Sequence, residues 1–189
     1  MKLLKVILLI VILSGKIFSQ EFITEEEATG KKDKPGFWSR TSFGGIIGMT
    51  FGDYTSVVLQ PEIAYWATDN WAVGTGIIYE YTSYTAYGVT QRSTIYGAKF
   101  FTHYFIWENL FITGILETVS LETKYYDYAN RYPNKERFWF ASPLVGAGYM
   151  QRIGSKSGVS LSVLFNLNQD RNSPYYYQPM PIIRVGFSI

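Results

Sequence analysis

The end of this chain alternates strictly. Pro181, Ile183, Val185, Phe187 and Ile189 fall on one face, and Ile182, Arg184, Gly186 and Ser188 on the other. A period of two marks a β-strand, because successive side chains point to opposite sides of a sheet. Here one face is wholly apolar and the other holds small residues and an arginine. Such a strand belongs to a sheet with sharply different surroundings on its two sides.

The same alternation recurs upstream and predicts eight strands. The first seven are Trp38–Phe51, Thr55–Trp66, Trp71–Thr82, Thr94–Trp107, Leu110–Glu122, Arg137–Gln151 and Val159–Asn168; the eighth closes the chain. The sixth is the least regular, with apolar residues on both faces. Connections after the second, fourth and sixth strands are short, whereas those after the third, fifth and seventh read as longer and polar. An even number of strands with short turns at one end and long loops at the other is the pattern of an outer-membrane barrel. The expected fold class is therefore all-β: an eight-stranded antiparallel up-and-down transmembrane β-barrel. Ten strands stay open if a long loop hides a hairpin. A soluble barrel would invert the pattern, and Gly44, Gly48, Gly74, Gly76 and Gly97 on the polar face suit a narrow lumen better than a solvated surface.

The N-terminus agrees with export. Lys2 and Lys5 precede the apolar run Val6–Leu13, and Ser19 supplies a small residue for cleavage, so residues 1–19 read as a signal peptide. The run is well short of the ~20 residues of a spanning helix. Residues 20–36, with Glu25, Glu26 and Glu27, read as a flexible periplasmic leader, and residues 37–189 as the barrel. Both termini of the barrel are then periplasmic. The net charge of +2 leaves no nucleic-acid footprint. With no cysteine there is neither a disulfide framework nor an acylation site.

Six charges fall on the inward face: Arg40, Glu62, Glu80, Lys99, Glu117 and Arg184. Strand order predicts two neighbouring groups. Glu80, Lys99 and Glu117 form one; Arg184, Arg40 and Glu62 form the other, with Arg184 latching the seam. An eight-stranded lumen is just wide enough for side chains to fill, and an unpaired buried ion is costly. The six are expected to form a plug of interior salt bridges. His103 is inward beside Lys99, but a hydrolase would need a nearby serine and carboxylate, and Ser160 and Ser162 lie on another strand. Zinc spacings, phosphate loops and nucleophile elbows are missing, so no catalytic residue, metal or cofactor is expected. The loops are rich in tyrosine: Tyr84 and Tyr87; Tyr125, Tyr126, Tyr128 and Tyr132; Tyr175, Tyr176 and Tyr177. They suit either a binding surface or the lipid–water boundary.

Phe43-Gly44-Gly45, Tyr96-Gly97, Glu108-Asn109-Leu110-Phe111 and Pro181-Ile182-Ile183-Arg184-Val185-Gly186-Phe187 carry a resemblance. The chain resembles small outer-membrane β-barrel proteins of the Bacteroidota over about residues 37–189. That resemblance implies insertion by the outer-membrane assembly machinery, with the last strand as its signal, and brings no catalytic residues. The function expected is structural or interactive. Partners would be outer-membrane lipids, lipopolysaccharide or another protein of a membrane complex. A narrow channel and a lipid-modifying enzyme centred on His103 are the alternatives.

Overall fold

The structure is a computed structural model that describes residues 36–189 except 53, 87, 155–156 and 177–180. The expected signal peptide, the leader up to residue 35, Tyr87 and Tyr177 lie outside the described residues. The strands are β1 (Thr41–Thr50), β2 (Tyr54–Trp66), β3 (Trp71–Ala86), β4 (Val89–Phe105), β5 (Leu110–Glu122), β6 (Arg137–Arg152), β7 (Gly158–Asn166) and β8 (Ile182–Ser188). Each pairs antiparallel with the next, and β8 returns to β1 to close an eight-stranded barrel. A 3-10 turn, Trp38–Arg40, leads into β1, and a single helical turn, Thr123–Tyr126, follows β5.

The alternation sorts cleanly once the sheet closes. Ile47, Ile77, Phe100, Leu161, Ile183 and Val185 are exposed on the outside. Their strand neighbours face a lumen built in layers. At the end that holds the termini, Trp66, Ala72, Phe105 and Phe111 pack with Met150. The Arg152 guanidinium lies 4.9 Å from the centre of the Phe105 ring and 5.7 Å from that of Trp66. Toward the loop end, Ile78, Val119, Leu121 and Phe138 form a second cluster, packed by Ile95, Tyr126, Tyr132 and Phe140. The buried charges lie between the two. This layering explains the irregular sixth strand: its inward residues Phe138, Phe140 and Met150 belong to the apolar layers, so both of its faces are apolar.

The third connection differs from expectation. No polar loop separates β3 from β4; they run on to Ala86 and Val89, which pair across a tight turn with Gly88 at φ +76. Ser83 to Ser93, where polarity suggests a loop, are rich in Thr and Tyr, which favour strands even where they are polar. Long connections remain after β5 and β7 only.

The barrel closes on a short seam. Gly44 pairs with Ser188 and Gly45 with Phe187. Phe43 and Ile189 exchange two backbone hydrogen bonds of 2.8 and 2.6 Å. A Cβ on Gly44 would lie 2.1 Å from the Phe187 carbonyl oxygen, a contact that only strand separation relieves. Gly48 is different, since its Cβ would meet the Val58 side chain at 3.7 Å. Gly44→Val is expected to abolish the compact, heat-modifiable band of the folded barrel on a gel, whereas Gly48→Ala keeps it. A folded Gly44→Val barrel would contradict this account of closure.

Candidate functional site

The charged layer is organised by strand register. Glu62 pairs with Gly76, Gly76 with Lys99, and Lys99 with Glu117, so the four stand in one row across β2 to β5. Gly76 has no side chain, and Lys99 reaches over it. Its Nζ lies 2.5 Å from Glu62 Oε1 and donates to Gln60 Oε1 at 2.9 Å. A Cβ at Gly76 would sit 2.9 Å from Glu62 Cγ and 3.2 Å from Lys99 Cε, in the space that the pair occupies. Gln60 in turn donates through Nε2 to Glu80 Oε1 at 2.8 Å. Lys99 is 2% exposed and Glu117 1%.

Glu117 is taken by a residue from elsewhere in the barrel. Arg184 of β8 places Nη1 2.5 Å from Glu117 Oε1 and Nη2 3.2 Å from Oε2, a two-point clasp that suits a planar guanidinium. The Tyr175 hydroxyl donates to Glu117 Oε2 and accepts from Arg184 Nη2 at 2.7 Å.

These contacts redraw the expected grouping. Glu62 belongs with Lys99, and Arg184 with Glu117, because long side chains in a narrow lumen reach across it. Arg40 is not part of the layer. It lies in the 3-10 turn before β1, where its Nη1 donates to the Ala67 carbonyl at 3.1 Å. The seam register sets Arg184 far up the barrel from Arg40, so the latch is made of backbone. Two members were missed. Gln60 shares the inward face of β2 with Glu62, and a search for charges passes over a neutral amide. Tyr175 was grouped with the external tyrosines, yet the β7–β8 connection carries its hydroxyl into the lumen.

Two cavities flank this layer. The lower, about 90 Å³, is lined by Glu62, Lys99, His103 and Arg184. The upper, about 480 Å³, opens at the loop end and is lined by Glu80, Glu117 and Tyr175. His103 Nδ1 is 2.9 Å from Thr113 Oγ1, and its ring lies beside Phe101 and Phe111. Ser160 and Ser162 line the same lower cavity from β7. The hydrogen-bond partner of His103 is thus a hydroxyl on the neighbouring strand β5. Among the described residues, no three of His, Asp or Glu come together as a metal site.

The two long connections are knotted together above the barrel. Asp127 accepts from the backbone N–H of Arg131 at 2.9 Å and of Tyr132 at 2.7 Å, and from Asn172 Nδ2 at 2.9 Å. Asn172 Oδ1 accepts from the Ala129 N–H at 2.9 Å, and Arg131 Nη1 meets Asp170 Oδ2 at 2.6 Å. Asn172 and Ser173 are buried, which fixes the β7–β8 connection where it turns inward toward Tyr175. Of the remaining loop tyrosines, Tyr84 sits on β3 and is exposed, as are Tyr128 and Tyr176. Tyr125 lies under Lys124, whose Nζ is 4.5 Å from the ring centre. Tyr126 packs into the upper apolar cluster.

No family model matches this chain, and the search of curated proteins found no match. Among solved structures, it is similar to the N-terminal β-barrel domain of Pseudomonas aeruginosa OprF. The likeness covers 79% of this chain and 94% of that one, at 12% identity and a TM-score of 0.36.

Two outcomes follow from the geometry. Glu117→Gln leaves the Arg184 guanidinium buried without its counter-ion and is expected to cost about 3–5 kcal/mol in denaturant unfolding of the purified barrel. Replacing the cluster together, by Glu117→Leu, Arg184→Leu and Tyr175→Phe, should recover most of that loss. The knot should respond to acid. Desolvation pushes the Asp127 carboxyl up, but hydrogen bonds from the Arg131 and Tyr132 N–H groups outweigh it and hold it below the usual 3.8. The Asn172 N–H and the Arg131 guanidinium hold Asp170 below 3.8 as well. A carboxylate with a depressed folded value stabilises fully above its unfolded value, and that contribution is lost as pH falls through the folded one. The amides of Arg131, Tyr132 and Asn172 should therefore stay protected from hydrogen exchange at pH 5 and lose protection below about pH 3.8. Asp127→Asn should flatten that profile.

Proposed function

We propose that this chain is an outer-membrane β-barrel of a Gram-negative bacterium. In this reading its lumen is closed by the charged layer, and its role is structural or interactive. The observation that carries the proposal is the inversion of polarity: apolar side chains cover the outside, and the charges are inside a closed sheet. In hydrocarbon every backbone polar group must be paired, which a closed barrel achieves. Two aromatic bands support this placement. Trp71, Tyr104 and Tyr149 are exposed toward the termini end, and Tyr79, Tyr96 and Trp139 toward the loop end. They are eight to ten residues apart along their strands. At ~3.3 Å per residue and a tilt of ~45°, that is roughly 20 Å, near the ~25 Å apolar belt of such barrels.

Residues 1–19 would direct export and be removed, 20–36 would form the leader, and both termini would be periplasmic. The loop end then faces outward. Tyr84, Tyr128 and Tyr176, with Lys124, Lys135 and Arg171, would meet lipopolysaccharide or a protein partner there. The assembly machinery would read the last strand. The closed lumen is supported by the position of the Lys99 and Arg184 ion pairs between the two cavities.

The test is fractionation of cells that express the chain, followed by planar-bilayer recording of the purified barrel. The protein should co-purify with outer membranes, begin near residue 20 and give no steady conductance. Inner-membrane or soluble recovery would overturn the placement, and a steady single-channel current would overturn the closed lumen in favour of a narrow channel. Crosslinking from native membranes should capture lipopolysaccharide or a protein through the loop end.

A further inference from the structure

Within the charged layer two ion pairs form and one carboxylate stands outside them. Lys99 is matched by Glu62, and Arg184 by Glu117. Glu80 is left over: its contact is a neutral amide, Gln60 Nε2 on Oε1, and among the described residues no ion pair includes it. It is also the unpaired carboxylate among the residues that line the upper cavity, where the one cation of the lining, Arg92, is exposed. An ionised carboxylate out of bulk water needs a compensating charge or strong hydrogen bonds, and one amide supplies only part of that. The strand that carries Glu80 thus brings a carboxylate, held by one amide and in no ion pair among the described residues, to an open cavity of about 480 Å³.

The walls of that cavity are rich in tyrosine, with Ser56, Thr82, Gln91 and Ser93 between the rings. Tyr54, Tyr84, Tyr126 and Tyr175 line it, with Ile78, Ile95 and Val119 below them. Tyrosine faces attract cations through the ring quadrupole, and most strongly where water is displaced. The volume falls within the range of small-molecule sites, which are mostly apolar with a few placed polar groups. A hard divalent metal would require six or more oxygen ligands, or a shell of waters. A single available carboxylate among rings favours a soft, poorly hydrated organic cation instead. A neutral sugar could stack on the rings but would leave Glu80 uncompensated.

We propose that the upper cavity is a binding site for a small organic ammonium ligand, with Glu80 as the counter-ion and the tyrosines as an aromatic enclosure. Arrival from outside the cell rests on the orientation given above; the binding chemistry does not. The site also gives Gln60 a role: its amide orients the Glu80 carboxylate while its oxygen is held by Lys99.

The experiment is calorimetric titration of the purified barrel in detergent with choline as the probe. Its uncharged isostere, 3,3-dimethylbutanol, is titrated in parallel. Choline should bind saturably and at least tenfold more tightly than the isostere. Glu80→Gln should weaken choline at least tenfold while leaving the isostere unchanged, because the Gln carbonyl still accepts from Gln60. Tyr84→Leu, at the exposed rim, should weaken choline severalfold without touching the charged layer, so it reports even if Glu80→Gln disturbs folding. Equal binding of choline and its isostere, absence of saturable choline binding, or indifference to both substitutions would each overturn the proposal. None of these outcomes bears on where the barrel resides, which fractionation decides separately.

Discussion

Phe43 and Ile189 exchange two backbone hydrogen bonds, and Gly44 and Gly45 pair with Ser188 and Phe187. Through these few contacts an eight-stranded sheet becomes a barrel, and much else depends on them. An open edge would expose a row of unpaired backbone groups, ready to pair with another chain. Closure also fixes the diameter. Eight strands enclose a space that side chains fill, so whatever points inward must meet something from across the lumen. The close approach at Gly44, where a Cβ would come within 2.1 Å of a carbonyl, reflects the same tightness.

That narrowness decides how the charges are arranged. In a wide pore, Lys99 and Glu117 could each keep a water shell, and neighbouring strands would set their pairing. Here Lys99 crosses the gap at Gly76 to Glu62, and Arg184 crosses the lumen to Glu117. Buried ion pairs are weak contributors to net stability, because desolvation offsets the attraction. Their worth lies in what they forbid. A slip of one residue in any of β2, β4, β5 or β8 would turn a charge from the lumen onto the apolar outer face. The pairs therefore specify register more than they add free energy. A barrel with an apolar plug would need other means to fix it.

The strands were legible because period-two alternation is a direct record of two unlike environments. Terminal residues such as Ile183 to Ile189 showed it most clearly. β6 was obscure for a physical reason: Phe138, Phe140 and Met150 pack into apolar layers inside, so its two faces look alike. The β3–β4 hairpin was mistaken for a loop because Thr85, Thr90 and Gln91 are polar, although their backbone pairs in register up to Ala86 and Val89. Inward charges were also visible, but their partners were not. Sequence order orders strands, whereas the pairing of Arg184 with Glu117 depends on height and on distance across a closed lumen. Gln60 and Tyr175 carry no formal charge, and only geometry shows that they complete the two networks.

Tyr175 links parts of the molecule that its sequence position keeps separate. It lies in the β7–β8 connection, which is anchored above by the buried Asn172 and Ser173 and by Asp170 on Arg131. Below, its hydroxyl joins Glu117 and Arg184, while its ring forms part of the upper cavity wall. The same residue therefore touches the external knot, the charged layer and the cavity. A group that occupied the cavity would rest against Tyr175 and Glu80, and Glu80 is tied through Gln60 to Lys99 and Glu62. Two chains of hydrogen bonds thus run from the cavity floor to opposite sides of the barrel. Any contact at the loop end that shifts Asn172 must move Tyr175 or break its hold on Glu117, and a clasp with Arg184 resists that motion. The connections at the loop end are consequently tied to the interior through Tyr175.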